Sequence, residues 1–158
     1  MKLELDIQLA TEYKDLPDSS KVKTWICAAL SHANFQLPSP SITLRIVSLE
    51  ESQQLNADFR SKDNPTNVLS FPFEAPEGIK IAEMEQYLGD IAICAKLVEQ
   101  EANKQLKLVE SHWAHLVIHG VLHLLGFDHN DEEQATEMET LEIAILASVG
   151  ISNPYIIN

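Results

Sequence analysis

The sequence predicts an α+β fold in which a small mixed β-sheet is packed with helices. The chain of 158 residues is long enough to bury one substantial hydrophobic core. Short segments with alternating apolar and polar residues, typical of strands, are interspersed with longer segments of helical periodicity. No linker divides the sequence, so we interpret residues 1–158 as a single domain.

The first half begins with a predicted strand, a helix and a second strand. Residues 3–9 (LELDIQL) alternate at a period of two, as in an amphipathic strand. Asp18 or Ser19 is a suitable N-cap for a helix that runs to about Phe35. Residues 42–49 (ITLRIVSL) alternate again and predict the second strand.

A second helix and a short strand follow. Ser48 and Glu51 have the spacing of a capping box, which predicts a helix that ends at about Phe59. Residues 67–71 (NVLSF) predict a short strand, and Pro72 limits its continuation because proline has no N–H to donate.

The region after this strand predicts a loop, a buried strand and a helical stretch. Residues 75–86 (APEGIKIAEMEQ) have the composition of a loop or excursion. Residues 88–95 (LGDIAICA) are mostly apolar, as in a strand that is buried on both faces. Residues 96–125 predict helix, divided near Lys107.

A last helix completes the chain. Asn130, with Glu133 three residues later, fits its N-cap, and the helix is expected to end before Gly150. The predicted order of elements is β-α-β-α-β-β-α-α-α, which is consistent with a small mixed sheet covered by helices.

Composition excludes several classes of protein. The net charge of -13 argues against broad electrostatic adhesion to nucleic acid or to an anionic membrane. No apolar run approaches the roughly 18 residues of a membrane span, and the N-terminus has the pattern of a strand rather than of a signal peptide. Cys27 and Cys94 are too few for a disulfide framework, so we interpret them as reduced core residues of a cytoplasmic protein.

The segment HGVLHLLGFDH contains three histidines that can converge on one metal ion. His119 and His123 lie on one face of a helix, about 6 Å apart along its axis. His129 reaches the same ion only if the helix stops first, and Gly126 provides that stop because glycine readily adopts the left-handed conformation after a helix. Three neutral imidazoles and one open position are typical of a catalytic zinc site, in which water is the fourth ligand.

A simpler interpretation is a polar helix face. His112, His115, His119 and His123 follow a 3-4-4 spacing along one stripe. We favour the metal site because the pair of His119 and His123 is followed by Gly126, which can end the helix, and by a third histidine, His129. His112 and His115 are then expected to pack in the core or to support the ligands.

The positions of two further residues near the motif suggest their roles. Asp128 can orient an imidazole or face water, and both interpretations remain open. Met138 in the last helix is expected in the core.

The motif lacks the acid that such sites usually carry. Its His, Gly and His offsets are those of the metzincin protease motif HExxHxxGxxH, which predicts a metzincin-like (zincin-like) arrangement. The protease glutamate acts as general base, but Gly120 stands in its place and cannot transfer a proton. A phosphodiester depends less on such a base, since a metal and cations stabilise its transition-state charge directly.

Three blocks of the sequence resemble the YbeY family of bacterial metal-dependent endoribonucleases. HGVLHLLGFDH resembles the H-G-x-L-H-L-x-G-[YF]-D-H signature of the family. LNADFRSKDNPTNVLSFPFE (55–74) and LGDIAICAKLVEQEA (88–102) resemble two further blocks, in the family's order. One departure is Asn67, where the family usually has aspartate.

The resemblance implies a single-strand-specific endoribonuclease that acts in 3′-end maturation of 16S ribosomal RNA and in ribosome quality control. It implies one Zn²⁺ per chain at His119, His123 and His129, and a functional arginine at Arg60. A guanidinium suits phosphate because it donates two parallel hydrogen bonds, and Lys62 can add a second positive charge. From position alone, Arg60 is better interpreted as a helix C-terminal cation that complements the helix dipole, and the resemblance is what favours the functional role.

An acidic RNA enzyme raises the question of how substrate is delivered. We hypothesise that the protein works on the ribosomal particle, docked by ribosomal proteins, more than on free RNA. Two alternatives remain open: a metal-dependent hydrolase of another bond, such as peptide or amide, and a ribosome-assembly factor whose metal is mainly structural.

Overall fold

A computed structural model describes residues 2–74 and 86–156. The elements in chain order are β1 (Glu4–Ala10), α1 (Ser19–His32), β2 (Ser41–Val47), α2 (Leu49–Arg60), β3 (Val68–Pro72), β4 (Tyr87–Cys94), α3 (Ala95–Lys104), α4 (Val109–Leu124) and α5 (Glu132–Ser148). The predicted order of strands and helices is therefore confirmed for these described residues. The predicted loop over 75–86 lies, except for Gln86, outside the described residues.

The four strands form one mixed sheet in the order β1-β2-β4-β3. β2 pairs in the parallel direction with β1 on one side and with β4 on the other, whereas β3 pairs with β4 in the antiparallel direction and lies at an edge. Pro72 is the last residue of this edge strand, a position that tolerates proline because no further ladder donor is required there. The predicted α+β fold with a mixed sheet is confirmed.

The main core lies between one face of the sheet and the helices α1, α4 and α5. Ile91 and Ile93 of β4 point into this core, together with Trp25 of α1 and Trp113 of α4. The alternate residues Ala92 and Cys94 belong to a smaller cluster on the opposite face, as the period of two along a strand requires. Met138 of α5 is buried in the main core, as predicted.

The helix starts follow local capping chemistry, with one correction. Asp18 accepts a hydrogen bond from the backbone N–H of Ser20, and Ser48 accepts one from that of Glu51, as predicted. The prediction of Asn130 as the cap of α5 was wrong.

Asp131 caps α5 instead, and its carboxylate accepts from the backbone N–H of Gln134. Asn130 is engaged elsewhere, because its side-chain amide donates to Asp128 in the preceding turn. Asn130 and Asp131 are neighbours with similar capping side chains, and in the structure Asp131 is the one that caps α5.

Two helix boundaries also have clear physical causes. α1 ends at His32 rather than at Phe35, and Asn34 has a positive φ of 58°. The predicted division near Lys107 is confirmed, since α3 ends at Lys104 and Leu106 has a φ of 55°. Left-handed residues end helices because the helical hydrogen-bond pattern cannot continue through them.

Within residues 2–74 and 86–156, no helix combines the length and the apolarity needed to cross a bilayer. Cys94 is buried and Cys27 is partly buried, and both are free thiols.

Candidate metal centre

Two of the predicted ligands are brought together by successive turns of α4. The imidazole rings of His119 and His123 have centroids 4.6 Å apart, and their Nε2 atoms are separated by 3.0 Å. Both residues are partly buried, and their Nε2 atoms face each other at the margin of the core. This geometry follows from the i, i+4 spacing, which stacks side chains on one helical face.

The third ligand is returned to this pair by the end of α4. Gly126 has a φ of 99°, and the backbone N–H of Phe127 donates to the carbonyl of Leu122 at 3.0 Å, which closes the helix. His129 then lies with its ring 5.7 Å from that of His119 and 5.1 Å from that of His123. The chain stop that was predicted at Gly126 is therefore observed.

The turn between the helix and His129 is braced by Asp128. Its carboxylate accepts from the backbone N–H of His129 at 2.8 Å and from the side-chain amide of Asn130 at 2.7 Å. The Nδ1 atom of His129 is 4.0 Å from the same carboxylate, beyond hydrogen-bond range. Asp128 thus fixes the backbone of the turn rather than the imidazole ring, and its side chain is 45% exposed to water.

The three histidines have the donor set and the spacing of a metal site. One nitrogen from each of His119, His123 and His129 lies within 4.8 Å of the other two. Tetrahedral zinc with nitrogen ligands has ligand separations of about 3.3 Å, which is close to the spacing of this set. Burial, together with the neighbouring His119 and His129, lowers the pKa of His123, which favours the neutral imidazole that binds metals.

Packing explains why glycine occupies the position where proteases have glutamate. Gly120 is buried against the sheet, and a Cβ atom there would lie 3.0 Å from Cγ2 of Ile91 and 3.3 Å from Oγ of Ser70. The Ser70 hydroxyl also donates to the Gly120 carbonyl at 2.9 Å, which ties β3 to α4. Position 120 therefore faces the sheet, and a side chain there would require Ile91 and Ser70 to shift.

A buried carboxylate that the sequence motifs did not indicate lies beside the site. Glu142 of α5 is 0% exposed and contacts His115, His119 and Tyr155. Burial raises its pKa, but hydrogen bonds from the two histidines outweigh this and lower it to about 2. Burial and the carboxylate together raise the pKa of Tyr155. A charge on the apolar face that also carries Met138 was the signal that could have revealed this role.

His115, His119 and Glu142 form a second group with the spacing of metal ligands. This group is more enclosed than the first, since the Glu142 side chain is 0% exposed and that of His115 is 13% exposed. The side chain of His129 in the first group is 58% exposed, so the two groups differ in access from solvent.

Arg60 lies at the last position of α2 and reaches towards β3. Its guanidinium donates to the carbonyl of Ser70 at 3.1 Å and to that of Phe59 at 3.1 Å, and it lies 5.9 Å from the centre of the Phe71 ring. These contacts agree with a helix-terminal cation, and they use two of its five N–H donors. Through Ser70, Arg60 is linked to Gly120, which is adjacent to His119.

Lys62 lies just beyond α2 and is exposed. Its backbone N–H donates to the carbonyl of Asn56, which is part of the C-terminal closure of the helix. The structure thus places Lys62 two residues from Arg60 on an accessible segment.

Comparison with known proteins identifies the family. Residues 6–150 match the model of the family described as Endoribonuclease YbeY. The chain belongs to the YbeY family. YbeY proteins are metal-dependent endoribonucleases, which are hydrolases, and membership supports a role in ribosomal RNA processing. The family membership predicted from the three sequence blocks is confirmed.

A solved structure supports the same conclusion for the fold. The chain is similar to TM1509 from Thermotoga maritima, known from a solution structure, with a TM-score of 0.55 and 25% sequence identity. The match covers 95% of this chain and 99% of TM1509.

The departure of this chain from the usual YbeY pattern at Asn67 has a local explanation. The Asn67 side-chain amide donates to the Glu101 carboxylate at 3.0 and 3.3 Å. Glu101 also accepts from the buried His112 at 2.8 Å. Burial raises the pKa of Glu101, but these hydrogen bonds lower it more, so that it lies below its usual value. His112 therefore belongs to a structural network at the other end of α4.

Proposed function

We propose that this YbeY protein is a zinc-dependent, single-strand-specific endoribonuclease of the cytoplasm. Its proposed substrate is the 3′ end of 16S ribosomal RNA, in maturation and in ribosome quality control. The observation that carries the proposal is the convergence of His119, His123 and His129, with one ligand accessible from solvent. An accessible ligand set suits a site in which one coordination position is left for a reactant.

The more exposed of the two histidine groups is the better candidate for catalysis. A phosphodiester must approach the ion, and His129 provides an accessible side. In the other group, Glu142 already makes short contacts with His115 at 2.7 Å and with the Tyr155 hydroxyl at 2.8 Å. The Glu142 carboxylate therefore already has hydrogen-bond partners within the chain.

Each proposed site residue has a defined task. A bound Zn²⁺ supplies a Lewis acid that makes water a nucleophile near neutral pH. The ion would be held by His119, His123 and His129. Arg60 would donate to the scissile phosphate through the N–H groups that are not used in its hydrogen bonds to backbone carbonyls. Lys62 would attract the RNA backbone at longer range, since its side chain is exposed.

The packing at position 120 favours a phosphodiester over a peptide bond as substrate. A zinc peptidase uses a glutamate beside its first histidine as general base. Gly120 stands at that position and packs against Ile91, so the chain has no acid there. Stabilisation of a negatively charged transition state by a metal and by Arg60 requires less proton transfer from the protein.

The test combines metal content with RNA cleavage. Purified protein should contain about one equivalent of zinc by elemental analysis, and Arg60→Gln should retain the metal and the fold but lose cleavage of single-stranded RNA. The chain's other arginine provides a matched control: Arg45 pairs with Glu51 at 2.6 Å, so Arg45→Gln should retain cleavage. Full activity of Arg60→Gln would contradict the proposed role.

The assembly-factor alternative is separated by a third variant. If His129→Ala unfolds the chain, and the parent cleaves no RNA under any condition tested, the metal is structural and the proposal fails.

A further inference from the structure

The buried carboxylate of Glu142 is saturated with donors from two other parts of the chain. Oε1 is 2.7 Å from Nε2 of His115 and 2.8 Å from the Tyr155 hydroxyl. Oε2 is 3.3 Å from Nδ1 of His119 and 3.2 Å from the same hydroxyl. A buried charge is retained only when such partners compensate its lost hydration, so this cluster has a definite arrangement rather than a loose one.

The contact with His119 determines which ring nitrogen carries the proton. An ionised carboxylate only accepts hydrogen bonds, so Nδ1 of His119 must donate. The lone pair is then on Nε2, which is the atom that faces His123 at 3.0 Å. Hydrogen bonding at one ring nitrogen is a general means of fixing the tautomer and the orientation of a ligating histidine.

We infer that Glu142 is a positioning residue that holds His119 with Nε2 directed at the metal, and that Tyr155 and His115 hold Glu142. The inference rests on the proposed metal centre and goes beyond it, because it assigns to α5 and to the segment after it control over metal affinity. Tyr155 follows α5, so the C-terminal segment is part of the support of the site.

The geometry makes a specific spectroscopic prediction for two histidines on one helix. His115 meets Glu142 through Nε2, whereas His119 meets it through Nδ1. The two imidazoles should therefore carry their protons on opposite ring nitrogens. Long-range ¹H–¹⁵N correlation spectra of the zinc-loaded protein distinguish the two tautomers, and a role in packing alone would not require this difference.

The experiment measures zinc affinity by competition with a chromophoric chelator for the parent chain, Glu142→Gln and Tyr155→Phe. A glutamine offers one acceptor oxygen to three donors, so Glu142→Gln should weaken zinc binding about 10- to 100-fold, and Tyr155→Phe should weaken it less. Glu101→Gln is the matched control, since Glu101 accepts from His112 of the same helix at 2.8 Å. It should leave zinc affinity unchanged.

The outcomes separate this inference from the proposed function. Unchanged zinc affinity in folded Glu142→Gln, or an equal loss in Glu101→Gln, would overturn the inference. If Glu142→Gln does not fold, Tyr155→Phe decides, because it removes one hydroxyl from a residue that is 43% exposed. A parent chain that binds zinc and responds as expected, but cleaves no RNA, would refute the proposed function and leave the positioning role standing.

Discussion

Replacing Asn67 by the aspartate usual in YbeY sequences should destabilise this chain. The amide of Asn67 donates to the Glu101 carboxylate at 3.0 and 3.3 Å, so Asn67→Asp puts two carboxylates at hydrogen-bond distance without a proton between them. The Glu101 side chain is 32% exposed, so water screens the repulsion only in part.

The loss of folding free energy caused by Asn67→Asp has a lower and an upper bound. Loss of a hydrogen bond to a charged group costs about 1.5 to 3 kcal/mol. The destabilisation by repulsion between the two carboxylates cannot exceed the cost of protonating one of them. Once one carboxyl carries a proton, it donates a hydrogen bond to the other and the repulsion is removed. From an ordinary Glu pKa of 4.5 to pH 7, at 1.36 kcal/mol per unit, that proton costs about 3.4 kcal/mol. We expect a loss of about 2 to 3.5 kcal/mol at pH 7.

The sign of the pH dependence follows from linkage. In the parent, the lowered pKa of Glu101 contributes stability that is present above the unfolded pKa and is lost as pH falls through the folded pKa. In the variant, the carboxylate pair has a raised pKa in the folded state, so its penalty is full at pH 7 and shrinks as pH approaches 4. Urea unfolding at pH 7 and at pH 5 measures both effects.

Two further variants isolate the cause. Asn67→Ala removes the hydrogen bonds without adding a charge, so its loss should not depend on pH between 5 and 7. Adding Glu101→Gln to Asn67→Asp supplies an amide donor again and should recover most of the stability. A variant Asn67→Asp that is as stable as the parent at pH 7, or a double variant that recovers nothing, would refute the reasoning.

Three other changes test the site and its surroundings. His123→Ala should reduce zinc content from about one equivalent to little by elemental analysis, while the circular dichroism of the folded chain is retained; unchanged content would return the histidines to a polar helix face. Gly120→Glu should lower the melting temperature strongly, because a Cβ alone meets Ile91 at 3.0 Å, and a stable variant would show that the packing at this position is not limiting. Cleavage of assembled small ribosomal subunits should be faster than cleavage of naked ribosomal RNA, since a net charge of -13 weakens binding to free RNA; equal rates would contradict delivery by the particle.

The fold was predictable because its signals are local. Alternation, an apolar run, helical periodicity and capping chemistry together predicted the strands and helices of the described residues in the correct order, and Gly126 was correctly assigned as the end of α4. The cap of α5 was assigned wrongly because Asn130 and Asp131 compete for the same role over a distance of one residue. Such competition is settled by the path of the turn, which propensity alone does not determine.

The candidate site was predictable only in its contiguous part. His119, His123 and His129 lie in one motif, so helix geometry was enough to bring them together. Glu142 is more than a dozen residues away on another helix, and the packing of α5 against α4 is needed to bring it to His119. The packing that favours glycine at position 120 was also not predictable from the sequence, because it depends on how closely the sheet approaches α4 at Ile91.

The short distance in sequence between the three histidines has a consequence for folding in the presence of metal. Positions 119 to 129 form a short loop, and the entropy of closing such a loop is small even in an unfolded chain. The denatured polypeptide therefore retains a partial chelate. A ligand stabilises a fold only by the difference between its affinities for the native and the denatured chains. Zinc should thus raise the melting temperature by less than its affinity for the native protein alone would give, and a nascent chain can acquire its ion before α5 has docked.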